Sequence, residues 1–200
     1  IKKQAIKKKI DEVIKRELEE IERKRKEAER RRREAARKNG EDVSSTTQDF
    51  TDQSSEGKIS SKKFQNNRGA LPWPVTKGSI TEKFGRNQHP TLSGVYTDNN
   101  GIDISCPSNS QVRAIFEGEV TSVFTIPGSG KVVILKHGNY RTVYSNLKET
   151  MVSKGDKVST KQKIGTILSE DNSLGILHFE LHLVSGTSTK SLNPALWIDR

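Results

Sequence analysis

Residues 174–184 read Leu-Gly-Ile-Leu-His-Phe-Glu-Leu-His-Leu-Val, and this strict alternation fits a strand half-buried in a sheet. Leu177, Phe179, Leu181 and Leu183 fall on one face; Ile176, His178, Glu180 and His182 fall on the other. The first face demands a core. The second carries two imidazoles and a carboxylate, a set that suits metal ligation and a solvated sheet face equally well.

How much core the chain can build is limited. With 30% hydrophobic residues, six Phe and two Trp in 200 residues, part of the chain must be non-globular. The charge of +10 is also uneven: residues 1–40 hold 17 Lys/Arg and 9 Asp/Glu, so the basic character belongs to that segment. The chain starts with Ile and has neither a signal peptide nor an apolar run of transmembrane length, so it reads as an internal fragment. A single cysteine, Cys106, leaves no internal disulfide and no Cys-rich zinc site, and reads as a buried thiol.

Residues 1–38 contain no Gly or Pro, which predicts one long helix ending at Asn39-Gly40. Ile6, Ile10, Val13, Ile14, Leu18 and Ile21 form an apolar stripe along its first half, while the second half is almost wholly charged. The stripe calls for a partner helix, so 1–40 is expected to be the end of a coiled coil. The Arg30 to Arg33 cluster is interleaved with Glu27, Glu29 and Glu34 and has no aromatic for base stacking, which favours a solvated helix over a nucleic-acid arm. Residues 41–68 are Ser, Thr, Asp, Gln and Lys with sparse apolar residues, a polar linker with room for a short helix between Ile59 and Phe64.

From residue 69 to 200 the chain becomes short apolar runs separated by glycine turns. Strands are expected at 78–84, 102–105, 111–116, 119–126, 131–137, 141–147, 163–168 and 177–184, an all-β domain of about 130 residues. No Gly-x-Ser-x-Gly elbow or phosphate-binding glycine loop occurs, and Cys106 lies in no nucleophile signature. The remaining chemistry-bearing candidates are Asp103, His137, His178, Glu180 and His182.

Four ordered segments carry a resemblance: Asn-Asn-Gly-Ile-Asp-Ile at 99–104, Val-Val-Ile-Leu-Lys-His-Gly at 132–138, Val-Tyr-Ser-Asn-Leu at 143–147 and Leu-His-Phe-Glu-Leu at 177–181. Together with the closing Leu-Asn-Pro-Ala-Leu-Trp at 192–197, they resemble the lysostaphin/LytM family of zinc endopeptidases that cut peptidoglycan cross-bridges. The resemblance implies an all-β LytM/lysostaphin-like domain of antiparallel sheets with an open groove, preceded here by the long α-helix and the linker.

Active members of that family carry His-x-Gly-x-Asp, then Tyr-x-His-Leu, then His-x-His-Phe-Glu. Matched position by position, Asn99 stands for the first zinc histidine, Asn146 for the histidine of the second motif and Ile176 for the first histidine of the third. Asp103 and His178 are retained at zinc-ligand positions. A hydrolytic zinc needs three protein ligands and an acid or base within reach, so the expectation is a degenerate peptidase with vestigial ligand positions, no resident metal and no cofactor. A groove stripped of its catalytic residues becomes a binding groove, expected to be lined by Asn99, Asn100, Asp103, Val132, Tyr144, Asn146, Ile176, His178, Glu180 and His182.

A helical arm ahead of a degenerate LytM domain is similar to the EnvC type of murein hydrolase activator. That resemblance implies a periplasmic protein of the bacterial envelope. Its implied partners are a zinc-dependent N-acetylmuramoyl-L-alanine amidase, whose helix would enter the groove, an FtsEX-type ABC transporter coupled through the coiled coil, and peptidoglycan; nucleic acid is not among them. The preceding helix or linker would then be placed to occlude the groove, with Ile59 and Phe64 as contacts. The rival readings are a divergent zinc endopeptidase and a murein-binding scaffold.

Overall fold

The computed structural model describes residues 2–38, 55–88, 94–169 and 174–199. Helix α1 spans Lys2–Lys38 and α2 spans Ser55–Asn66. Twelve strands follow: β1 (Ser79–Glu82), β2 (Gly85–Gln88), β3 (Tyr96–Asn99), β4 (Gly101–Cys106), β5 (Gln111–Arg113), β6 (Gly118–Ile126), β7 (Gly130–His137), β8 (Tyr140–Thr150), β9 (Lys157–Val158), β10 (Lys163–Ile167), β11 (Gly175–Ser185) and β12 (Ser188–Leu192).

Ten of the strands join one antiparallel sheet in the order β1-β4-β11-β8-β7-β6-β9, with β12 on β11 and with β10 bridging β5 and β8; β2 and β3 make a separate ribbon. The sheet is apolar on both faces at its centre. Leu177, Phe179 and Leu181 of β11 meet Val133 and Leu135 of β7 and Tyr144 of β8 in the main core. On the opposite face Val132, Ile134, Val143, Ile126 and Val184 form a second apolar surface.

Helix α1 covers that second surface. Ile6, Ile10, Ile14 and Leu18 are buried on it, so the stripe expected to seek a partner helix packs on the β-sheet of its own chain. These four residues are one i, i+4 ridge, the row of side chains a helix sets into a neighbouring surface, whereas Val13 is half-buried beside it and Ile21 is exposed. The solvent side of α1 is laced by Glu–Lys and Glu–Arg pairs four residues apart, among them Glu20–Lys24, Glu22–Lys26, Glu27–Arg31 and Glu29–Arg33. Such pairs support the helix only weakly, because water and salt screen them.

The segment expected to be linker through residue 68 divides. Residues 39–54 lie outside the described residues, but α2 is part of the folded domain. Phe64 is fully buried, stacked on His137 and Tyr140 at 4.9 and 4.8 Å, with Trp197 at 5.3 Å and Phe116 edge-on at 5.4 Å. Ser61 Oγ accepts from the Asn139 amide at 2.8 Å, which ties α2 to the β7–β8 turn. Gly138 in that turn has φ +63°, and a Cβ there would collide with Ser61 Oγ. Gly138→Ala should therefore cost about 2 kcal/mol or more in a urea melt and open α2 to limited proteolysis; an unchanged midpoint would mean that α2 does not rest on the turn.

Candidate functional site

The pairing of β11 with β4 and β8 sets the site. His178 lies opposite Asp103 on one side and Ser145 on the other, and His182 lies opposite Arg141. Because β11 alternates, Ile176, His178, Glu180, His182 and Val184 all share the face that α1 covers. His137 does not join them. On β7 it shares the parity of Val133 and Leu135, and it is buried in the main core, with Nδ1 2.7 Å from the Glu117 carbonyl and Nε2 2.8 Å from Thr142 Oγ1. Burial, with Arg141 nearby, outweighs the bond to the Glu117 carbonyl and pushes its pKa down to about 4.

The polar row is a continuous chain of hydrogen bonds. His178 Nδ1 is 2.6 Å from Asp103 Oδ1, His178 Nε2 is 2.8 Å from Glu180 Oε1, and Glu180 Oε2 is 2.6 Å from His182 Nε2. Burial works against the imidazolium, but bonds to Asp103 and Glu180 outweigh it and lift the pKa of His178 to about 9. Burial likewise opposes charge on Glu180, and the two histidines overcome it, holding the carboxyl at about 2. An imidazolium thus sits between two carboxylates and neutralises charge where a cation would otherwise be required.

His178, raised above its ordinary 6.5, stabilises the fold fully below pH 6.5, and this is lost as pH rises through about 9. Glu180, depressed below its ordinary 4.5, stabilises the fold above that pH, and this is lost as pH falls through about 2. Thermal melts should give a plateau between pH 4.5 and 6.5 and a fall towards pH 9 that His178→Gln abolishes. A wild-type slope retained in the variant would contradict the paired imidazolium.

These residues do not fit a hydrolytic zinc. Both nitrogens of His178 are engaged by carboxylates. Asn99 accepts from the Gly101 amide through Oδ1, and its remaining polar atom, the buried Nδ2, is a donor without a partner; a donor cannot ligate a cation. Asn146, at φ +65°, donates from Nδ2 to the Ile176 carbonyl at 3.1 Å, stitching β8 to the start of β11. Among the described residues no group of three or more His, Cys, Asp or Glu is arranged to hold a metal ion.

Beside the polar row lies a cavity of about 440 Å³. Asn99, Asn100, Asp103, Asn146, Ile176, His178 and Glu180 line it, as do Leu168, Leu174 and Ser129. The other three expected groove residues sit elsewhere. Tyr144 is in the main core with its hydroxyl accepting from the Ile115 amide, Val132 lies under α1, and His182 is sealed beneath the helix side of the sheet. Ile59 is exposed and Phe64 is in the core, and neither lines the cavity. The wall comes instead from α1, through Ile6 and Lys7. One turn on, Asp11 lies close enough to Glu180 for burial and that carboxylate to raise its pKa. The apolar stripe of α1 was visible in the sequence, but nothing in it specified a sheet as the surface to be covered.

Residues 97–194 match the profile of Peptidase family M23. The chain is 35% identical over 113 residues to the peptidoglycan DD-endopeptidase ShyA of Vibrio cholerae, covering 54% of this chain and 26% of that one. It is 30% identical over 128 residues to the murein hydrolase activator NlpD of Escherichia coli K12, covering 63% of this chain and 30% of that one. The fold resembles that of a zinc-containing peptidase from Vibrio cholerae with a TM-score of 0.52 at 26% identity, covering 66% of this chain and 41% of that one. The chain thus spans about a quarter to a third of the length of these curated relatives.

Proposed function

Since residues 97–194 constitute a peptidase M23 (LytM-type) domain, we propose that the chain acts without catalysis of its own, as an activator of a peptidoglycan N-acetylmuramoyl-L-alanine amidase. The observation that carries this reading is the row Asp103–His178–Glu180–His182, joined end to end by hydrogen bonds that occupy both nitrogens of His178 where a hydrolase would present a metal ligand. The similarity to NlpD, named a murein hydrolase activator, points the same way. The amidase docks on the face of the sheet that α1 covers, and α1 is the autoinhibitory element, displaced when the protein activates. This replaces occlusion through Ile59 or Phe64 with occlusion through Ile6 and the ridge that follows it.

In the whole protein α1 continues a coiled coil coupled to an FtsEX-type transporter, and the setting is the periplasm, at daughter-cell separation. No helix among the described residues is long and apolar enough to cross a membrane. The similarity to ShyA favours a second reading, a divergent zinc-dependent endopeptidase. Dye release from labelled sacculi separates the two. Release by a zinc amidase that rises when the chain is added, with none from the chain and zinc alone, supports the activator. Release by the chain alone, with stoichiometric zinc in the purified protein, would establish the enzyme.

A further inference from the structure

Where α1 runs past the sheet, the side it turns away from the domain changes character. At about 100° per residue, Lys8, Glu12, Lys15 and Glu19 lie opposite the ridge of Ile6, Ile10, Ile14 and Leu18, and all four are exposed. Two cations and two carboxylates leave that side neutral over the seated half, which Glu17 also fixes by accepting from Arg141 Nε and Nη2 at 3.2 and 3.0 Å. Further along, the same side carries Arg23, Lys26, Arg30, Arg33 and Arg37, all exposed and all cationic.

These five fall within an arc of about 80° and a length of about 21 Å. Their spacing of three and four residues is that of a coiled-coil seam, but a seam needs apolar side chains, so this face is not one. Glu22, Glu29 and Glu34 stand beside the stripe and pair with Lys26, Arg33 and Arg30 at 2.6, 2.6 and 3.8 Å. Exposed pairs of this kind hold weakly, and residues 23–38 keep ten Lys/Arg against three Glu, a net charge of +7. A dense array of anions can therefore take the cations over.

Shape and composition say which array fits. The stripe is straight, narrow and turned away from the β domain, so a plane can meet all five cations without touching the domain. The apolar residues of this half are alanines alone, Ala28, Ala35 and Ala36, so nothing in it enters a hydrocarbon layer, and it has no aromatic to stack on a base. A helix set in a nucleic-acid groove meets phosphates along both flanks, whereas the positions bordering this stripe are Glu27 and Glu34 on one side and Glu22 and Glu29 on the other.

We propose that the free half of α1 lies along an anionic phospholipid surface, with Arg23, Lys26, Arg30, Arg33 and Arg37 on the lipid phosphates. The β domain is then carried on the far side of the helix, away from the lipid. The four arginines take phosphate oxygens in pairs through their planar forks, and the contact stays at the headgroups. The inference goes beyond the activator reading and rests on it only for the setting at the bacterial envelope.

The test sediments the full chain with vesicles of phosphatidylcholine, alone or with about one part in four of phosphatidylglycerol, at about 0.1 M salt, where charges are screened over about 10 Å. The chain should bind the second vesicles and not the first, and more weakly as salt rises. Each cation at an anionic surface is worth about five-fold in binding, so Arg23→Gln, Arg30→Gln and Arg37→Gln together should weaken it at least about thirty-fold. Lys24→Gln, Arg31→Gln and Arg32→Gln together remove the same charge from the other side of the helix, about 10 Å from the lipid, and should weaken it no more than about five-fold. All six side chains are exposed, so neither variant disturbs a core. Equal losses in the two variants would overturn the stripe, as would no binding to the phosphatidylglycerol vesicles. Tighter binding to a fluorescein-labelled DNA duplex, abolished by the stripe variant alone, would overturn the lipid in favour of nucleic acid.

Dye release with a zinc amidase tells the two possible failures apart. Activation without vesicle binding would remove the lipid surface and leave the activator standing. Vesicle binding through the stripe with no activation by any form of the chain would remove the activator and uphold the lipid surface.

Discussion

A full chain carrying Ile10→Asp and Ile14→Asp together is expected to activate a zinc amidase at least about ten-fold more strongly than the wild type at equal, sub-saturating concentration. Both isoleucines are buried in the centre of the α1 ridge, at 0% and 1% exposure. Each contributes about 1.5–3 kcal/mol by leaving water, and a carboxylate in its place would be carried into an apolar cluster with Val132, Ile134 and Val143. The four-residue ridge then keeps only Ile6 and Leu18. A tenfold change needs only about 1.4 kcal/mol, so the loss of docking far exceeds it. The main core contains no residue of α1, so the β domain should still fold, with a urea midpoint lowered by the docking energy that α1 no longer supplies. Activation unchanged in a variant whose α1 has become protease-sensitive would show that the helix does not control the site.

The second large effect concerns stability. Phe64→Ala is expected to destabilise the domain by about 3–5 kcal/mol and lower its melting temperature by roughly 10 °C. The ring fills a position walled by Phe116, His137, Tyr140 and Trp197, and the neighbouring strands and the C-terminal segment limit how far the gap can collapse. That segment is fixed by hydrogen bonds from the amides of Gly69 and Leu71 to the Trp197 carbonyl and from Asp199 back to Leu71. Ile59→Ala in the same helix is the control: at 55% exposure it should move stability by no more than about 0.5 kcal/mol. Equal effects of the two substitutions would return α2 to the status of a tether.

What could be read in advance depended on whether a residue's environment leaves a local trace. The alternation of β11 did, because its two faces differ in chemistry at a period of two. The run Val132-Val133-Ile134-Leu135 carried a trace of the second apolar surface, since a strand without alternation is buried on both sides. It named no cover, and a ridge of isoleucines fits a helix or a sheet alike. His137 and His178 look equivalent as residue types, and strand parity alone sends one into the core and the other to the groove face. The short strands β2 and β12 are polar and half-exposed, so no hydrophobic pattern announced them. Phe64 sat in a polar stretch whose composition resembles a linker, and the aromatic cage that holds it is assembled from residues far away in sequence.

From Arg23 to Arg37 every described side chain of α1 is exposed, so the helix extends about 20 Å past its anchored half as a stiff rod. A rod fixed along a single row of side chains responds differently to different directions of load. Tension along its axis must shear Ile6, Ile10, Ile14 and Leu18 together, whereas a sideways push at the free end acts as a crowbar, lifting Leu18 and the Glu17–Arg141 pair first and the others in succession. The same contacts that hold firmly against stretching therefore yield to bending, and the ion pair nearest the lever end bears the first of the force.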